Sequence, residues 1–278
     1  MTLSVTGDNI QFPDLSTQAS AQVGFKNRVI DGGFTLNQRV YVSGTALSAG
    51  VYAHDRWKAG ASGCTYTFTQ GALGVNTTIT ITAGSLIQVI EGCNVAEGGT
   101  YVLSWTGTAQ GKANTGSYGA SGTVVVTGWT PGTNLPIEFN TGTVSNIQLE
   151  KGSTATSFDY RDYGRELIMC QRYYLRFNAE QSASIVAPLG LGSGTSDVQV
   201  PFIFTTPMRT VPTPAQNSLN IADGVTSTAV TSVSLQSTQS STAAANVDFS
   251  VASGVITFRP YLIRAASTAG YLSFSSEL

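Results

Sequence analysis

Short runs in which apolar, β-branched or aromatic residues take every second position recur along this chain, and no other feature constrains its fold as strongly. Cys64, Tyr66 and Phe68 form one run; Ile79 and Ile81, then Tyr101, Leu103 and Trp105, then Ile137 and Phe139, then Ile147 and Leu149 continue the series between Gly-rich segments. A period of two sends neighbouring side chains to opposite faces of an extended strand, so each run offers one face to a core and the other to water. Many short strands without helical spacing between them predict antiparallel sheets packed face to face, as a sandwich or jelly roll. The alternation returns in Val198, Val200, Phe202 and Phe204, in Val233 and Leu235, in Val247, Phe249 and Val251, and in Leu272 and Phe274.

One segment breaks the pattern. In DYGRELIMCQRYYLRF, Asp162 to Phe177, the residues Leu167, Cys170 and Tyr174 fall at i, i+3 and i+7, and Asp162 stands where a helix cap belongs. At 278 residues two cores are expected, one on each side of this helix. The predicted boundaries are an N-terminal arm over 1–24, a first β domain over 25–160, a helical connector over 161–180 and a C-terminal β domain over 181–278. The Ser- and Thr-rich stretch TSVSLQSTQSSTAAANVDFS keeps strand spacing at both ends and reads as a hairpin with a polar tip near Ser237 to Asn246.

Charged residues make up 11% of the chain, against about 25% in ordinary soluble proteins, and Ser, Thr, Gly, Ala and Asn fill the polar positions. An uncharged surface suits a subunit that buries its flank against identical copies. A net charge of −2 and the absence of a Lys/Arg run exclude nucleic acid and an anionic membrane as expected partners. Residues Met1 to Ser20 lack a charged-then-apolar leader pattern and no long apolar run follows, so neither a Sec signal nor membrane insertion is expected. Cys64, Cys93 and Cys170 match neither a disulfide framework nor a zinc site and read as structural thiols.

No catalytic arrangement stands out. His54 is the single histidine, and it reads as a structural side chain rather than a base. Glu91, Glu97, Glu138, Glu150, Asp159 and Asp162 give many possible carboxylate pairs and no motif for glycosidic cleavage. In YAHDRW (Tyr52 to Trp57), Asp55 and Arg56 are expected to pair while Trp57 anchors a strand. Phe158 and Tyr160 are expected to seal the sandwich edge ahead of the helix. Sugar recognition needs an aromatic face beside amide or carboxylate groups. Tyr118 in GTAQGKANTGSYGASG and Trp129 in GWTPGTN, with their neighbours Asn114 and Asn134, meet that description; the loop from Asn217 to Asp223 is a third candidate. The structural alternatives are a strand-end cap for Trp129 and packing against a neighbouring subunit for Tyr118.

Five segments taken together, NRVIDGGFTLNQR (Asn27 to Arg39), YAHDRW, SNIQLEKGSTATSFDYRDYGRELIMCQRYY (Ser145 to Tyr174), PMRTVP (Pro207 to Pro212) and the ending GYLSFSSEL, resemble phage and prophage tail-fibre or receptor-binding proteins that carry a carbohydrate-binding-module-like jelly roll. The likeness runs from Asn27 onward, is most specific between Gln148 and Tyr174, and leaves the arm uncovered. It implies an all-β fold: a jelly-roll sandwich, one short connecting helix and a second C-terminal β-sandwich domain. It further implies a non-enzymatic fibre of the virion, synthesised in the host cytoplasm, homotrimeric, and adhering to bacterial surface polysaccharide. Attachment to other virion proteins falls to the arm, with Asn9, Phe12 and Leu15 as its contact residues. Sugar-binding jelly rolls of this kind often hold a structural calcium, for which Asp31 and Glu150 are the available carboxylates; Thr35 departs from the pattern, standing where an acidic residue is expected. Otherwise no cofactor is expected. A virion decoration or adaptor protein, and a glycan depolymerase, are the alternative readings.

Overall fold

The computed structural model describes residues 26–278, together with the backbone of three short strands nearer the start, β1 (Ser4–Thr6), β2 (Asn9–Gln11) and β3 (Thr17–Gln18). In place of an extended arm, these strands form an antiparallel meander of their own, with Ser4 opposite Gln11 and Ile10 opposite Gln18. Of the attachment residues, Phe12 and Leu15 lie outside the described residues, and Asn9 is described in its backbone alone, paired with Thr6.

The protein is all-β with one α-helix among the described residues. Its first half contains β4 (Lys58–Phe68), β5 (Ile79–Ile90), β6 (Gly99–Thr106), β7 (Gly111–Ala113), β8 (Val124–Trp129), β9 (Leu135–Phe139) and β10 (Gly142–Lys151). Strand β5 is the hub. β4 pairs along one of its edges, while β9 takes residues 86–90 and β10 takes residues 79–81 on the other. From Ser145 onward β10 leaves β5 and pairs with β6, which carries β8 on its far edge. Because one strand serves both sheets, the layers fold over a single core containing Trp57, Tyr66, Tyr101, Phe139 and Leu149. The inward residues are those the alternation singled out, with one exception. On β5 the buried positions shift from Ile79 and Ile81 to Leu86 and Ile90, because bulges on β4 and β5 change the parity of both strands. Gly84 makes this possible: it has φ 69°, and a Cβ there would lie 2.0 Å from the Gly63 carbonyl oxygen.

Helix α1 (Tyr163–Gln171) starts as expected, the Arg165 N–H donating to Asp162 Oδ1 at 2.9 Å. It ends six residues early. The last part of the expected helix becomes β11 (Tyr174–Asn178), because β19 (Tyr271–Ser275) offers it a full ladder, Tyr174 opposite Ser275 through Asn178 opposite Tyr271.

The C-terminal half comprises β12 (Gly190–Gly192), β13 (Asp197–Ile203), β14 (Thr213–Asn217), β15 (Leu219–Ala222), β16 (Ser227–Leu235), β17 (Ala244–Val251), β18 (Pro260–Ala265) and β19 (Tyr271–Ser275). Instead of two open sheets, six of its strands close in the order β12-β13-β17-β16-β15-β18, and β11-β19-β14 form a small sheet beside the ring. Strict alternation on β17, with Ala245, Val247, Phe249 and Val251 buried, faces the inward Val198, Val200 and Phe202 of β13. Phe274 of β19 meets Phe202 and Phe204 edge-on at 5.1 Å each, so the small sheet shares the ring's core. The segment from Asn217 to Asp223 is thus two strands turning at Ser218, not a binding loop, and the Asp223 side chain accepts from the Val225 and Thr226 N–H groups.

The motifs quoted above converge on the junction between the two halves. Arg39 and Arg56 both pair with Glu277, Arg39 at 3.1 Å, and their guanidinium groups stack over Tyr174 and Tyr173 at 3.6 Å each. Arg209 holds the same tail from the other side, donating to the Ser276 and Glu277 carbonyls at 2.7 and 2.8 Å. Asp55 and Arg56 do not pair with each other. Arg56 has φ 69°, and this turn sends the adjacent side chains to different partners: Asp55 accepts from the Gln38 N–H and Nε2 at 2.8 and 2.9 Å. Trp57 does anchor the core, donating from Nε1 to the Asp31 carbonyl at 3.0 Å. Tyr160 is 72% exposed and seals nothing; Phe158 meets it edge-on at 4.9 Å.

Candidate functional site

Outward residues of the hub sheet line up across four strands. Lys58 of β4 is opposite Ile87 of β5, Ile87 is opposite Glu138 of β9, and Glu138 is opposite Lys112 of β7. Their chain neighbours Ala59, Leu86, Phe139 and Ala113 are core residues, so by alternation this row lies on the outer face. The Lys58 end is closed by the tail, since Lys58 Nζ donates to the Leu278 carbonyl at 2.6 Å and the Tyr52 hydroxyl donates to the same oxygen.

The other end carries a polar triad. Lys112 Nζ lies 2.9 Å from Glu138 Oε2, the Tyr118 hydroxyl donates to Glu138 Oε1 at 2.9 Å, and Lys112 Nζ sits 4.7 Å from the centre of the Tyr118 ring. The loop that delivers Tyr118 is fixed by its backbone. Gly111 and Gly119 exchange two N–H···O bonds, and Asn114, at φ 52°, donates its N–H to the Pro136 carbonyl at 2.7 Å. Burial by itself would raise the Glu138 pKa, but hydrogen bonds from Ser85, Lys112 and Tyr118 outweigh it and hold the carboxylate below its usual range. Burial, then the bond to Glu138, raises the Tyr118 phenol. At neutral pH the triad is therefore an ammonium, a carboxylate and a neutral phenol. Such a set offers a half-buried aromatic ring beside donors and an acceptor, the chemistry that matches a polyhydroxylated ligand. Hydrolysis of a glycosidic bond takes two carboxylates across that bond, whereas Glu138 already meets the two donors of this triad and Ser85 beside it.

The structure separates the four residues singled out for sugar contact. Tyr118 belongs to the triad and Asn114 to the base of its loop. Trp129 is half-buried against the core with Nε1 donating to the Thr133 carbonyl at 3.1 Å, which closes its turn, and Asn134 Oδ1 accepts the Gly92 N–H at 2.8 Å, which ties that turn to the segment after β5. Lys112 was missed, and Glu138 was counted only among the carboxylates without a motif. Alternation in LPIEF already turns Glu138 outward between Ile137 and Phe139, but its position opposite Lys112 depends on strand pairing.

Asp31 and Glu150 are held in different networks. Both Glu150 oxygens are engaged, by the Thr156 N–H at 2.7 Å, the Thr156 hydroxyl at 2.6 Å and Gln148 Nε2 at 2.8 Å. Thr35 stands not as an additional ligand but as a donor to Asp31 Oδ1, through its N–H at 2.7 Å and its hydroxyl at 3.0 Å. Among the described residues no three acidic, His or Cys side chains gather as a metal site.

His54 sits in an aromatic box of Phe34, Tyr41, Tyr66 and Phe68, with Nδ1 2.7 Å from the Tyr66 hydroxyl. Burial lowers its pKa to about 4, against a weaker raising contribution from Gln70. A folded pKa below the unfolded value near 6.5 means that unfolding takes up a proton between the two, so this stabilisation is full above about 6.5 and fades as pH falls toward 4. Since it is the chain's one histidine, its imidazole proton resonances report directly: no titration is expected between pH 8 and 5, and a midpoint near 6.5 would contradict the box.

Among the described residues no helix is long and apolar enough to cross a membrane. Comparison with protein-family models, with curated proteins and with solved structures returns no match for this chain.

Proposed function

We propose that this chain is a phage virion fibre or receptor-binding subunit that adheres to bacterial surface glycans without cleaving them, through the Tyr118 end of the hub sheet in a carbohydrate-binding-module-like first domain. The observation that carries the reading is the triad of Tyr118, Glu138 and Lys112 on an outward sheet face, in a chain whose surface is otherwise poor in charge. The five resembling motifs support it independently. In this reading the chain acts as a homotrimer, and the segment 1–24 docks it to other virion proteins.

The test is binding to an array of bacterial lipopolysaccharide and capsule oligosaccharides. Tyr118→Ala and Glu138→Gln are each expected to weaken binding tenfold or more, about 1.4 kcal/mol. Their unfolding should stay within the roughly 0.5 kcal/mol typical of surface substitutions. Undiminished binding by both variants assigns adhesion to another face, and no binding by the parent protein to the array or to whole host cells defeats the reading.

A further inference from the structure

The C-terminal ring has an apolar groove on its outside and, on the same ring, an apolar knob that its own fold does not use. The groove, about 500 Å³, runs along β13 and β17, with Leu189, Leu191, Pro201 and Ile203 on its walls and Phe202 and Ala245 at its floor. Ile203 is 88% exposed and Leu191 52%. The knob is Phe258, which follows Ile256 in the turn before β18 and is 83% exposed. Its N–H donates to the Gly192 carbonyl at 2.8 Å, which fixes the turn beside β12, one residue beyond Leu191. Phe258 also has φ 64°, a conformation that a bulky side chain adopts only under strain. A strained backbone that lifts an aromatic ring into water gains nothing within one copy.

Charge identifies the occupant. Residues 181–278 hold seven charged side chains, and none of them lines the groove. Arg209 and Glu277 are at the junction, Asp223 and Arg259 pair at 2.9 Å, Asp197 accepts from Ser196 and Ser250, Asp248 accepts from Gln236, and Arg264 is on β18, away from the groove. A charged partner finds no complement here, whereas an uncharged apolar knob such as Phe258 meets no repulsion, and the rim amides, Gln199, Gln239 and Asn246, can bond the backbone that carries it.

We infer that Phe258 of one copy inserts into the Leu191–Ile203 groove of the next, a head-to-tail contact between copies of this chain. Knob and groove lie on opposite flanks of β12, so the contact is heterologous: each copy gives its knob to one neighbour and its groove to another, and the copies form a ring where the rotation between them closes and an open filament where it does not. This inference rests on the self-association in the proposed function and assigns it a surface.

The test is solution mass by light scattering at about 100 μM, a concentration at which a micromolar contact is nearly saturated. The parent protein should be oligomeric, and Phe258→Ser and Ile203→Arg should each be monomeric with an unchanged unfolding midpoint, since both side chains are more than four-fifths exposed. An equimolar mixture of the two variants should recover a two-chain mass and no larger one, because it retains a single competent knob and a single competent groove. A monomeric parent overturns the inference together with the self-association behind it, and binding of that monomer to neutral phosphatidylcholine vesicles would give the face to lipid. An oligomeric parent whose variants keep its mass overturns the knob and groove alone.

Discussion

Glu277→Ala is expected to destabilise the protein by about 3–5 kcal/mol, although the change lies at the penultimate residue. Glu277 is the shared counter-charge of Arg39 and Arg56, and the Arg56 side chain is 1% exposed. Without the carboxylate, a buried guanidinium keeps its desolvation cost while losing its partner. The tyrosines that cover Arg56 and Arg39 offer a π face but no negative charge. The pair also crosses the junction, 221 residues apart in sequence, so the two cores should lose coupling and their calorimetric transitions should move further apart. Glu277→Leu combined with Arg56→Met should recover most of the loss, because an apolar pair leaves no stranded charge. A midpoint for Glu277→Ala within a degree of the parent would show that the junction does not depend on this carboxylate.

Trp57→Ala is expected to cost about 3–5 kcal/mol, confined to the first core. The indole is fully buried, with ring centres 5.1 Å from Phe34 and 6.1 Å from Phe139, so the chain segment before β4 and the strand β9 both lose contacts. Deletion also removes the donor to the Asp31 carbonyl, leaving a buried acceptor unpaired. A drop of about 10 °C is expected in the transition of the first half. Trp57→Phe should recover part of the packing and none of the hydrogen bond. If the C-terminal transition falls by the same amount, the two cores unfold as one unit and the loss is not local.

Much of the fold was written in the sequence as local pattern. Val247, Phe249 and Val251 point inward on β17 because a strand repeats every two residues, whatever it pairs with, and Asp162 caps α1 because a cap acts within three residues of itself. Glu138 was likewise legible as an outward carboxylate. The register was not: Leu86 and Ile90 face inward only because Gly63 and Gly84 let β4 and β5 bulge together. Nor was the end of α1, since Tyr174 fits a helix or a strand equally well until β19 offers it a ladder.

The candidate site divides in the same way. Tyr118 was found because an aromatic in a Gly- and Asn-rich loop is conspicuous, but its partners Lys112 and Glu138 meet it only through pairing between β7 and β9. Within YAHDRW, Tyr52 and Arg56 serve the junction, reaching the tail across most of the chain length. The sequence by itself determined the strand class, the single helix start, the inward faces and the low charge, all of which depend on residue type and spacing within a few positions. Tertiary structure alone decided the closed ring, the shared carboxylate of Glu277, and which aromatic stands beside which charge, because those depend on long-range pairings whose free energy exists only once distant strands have met.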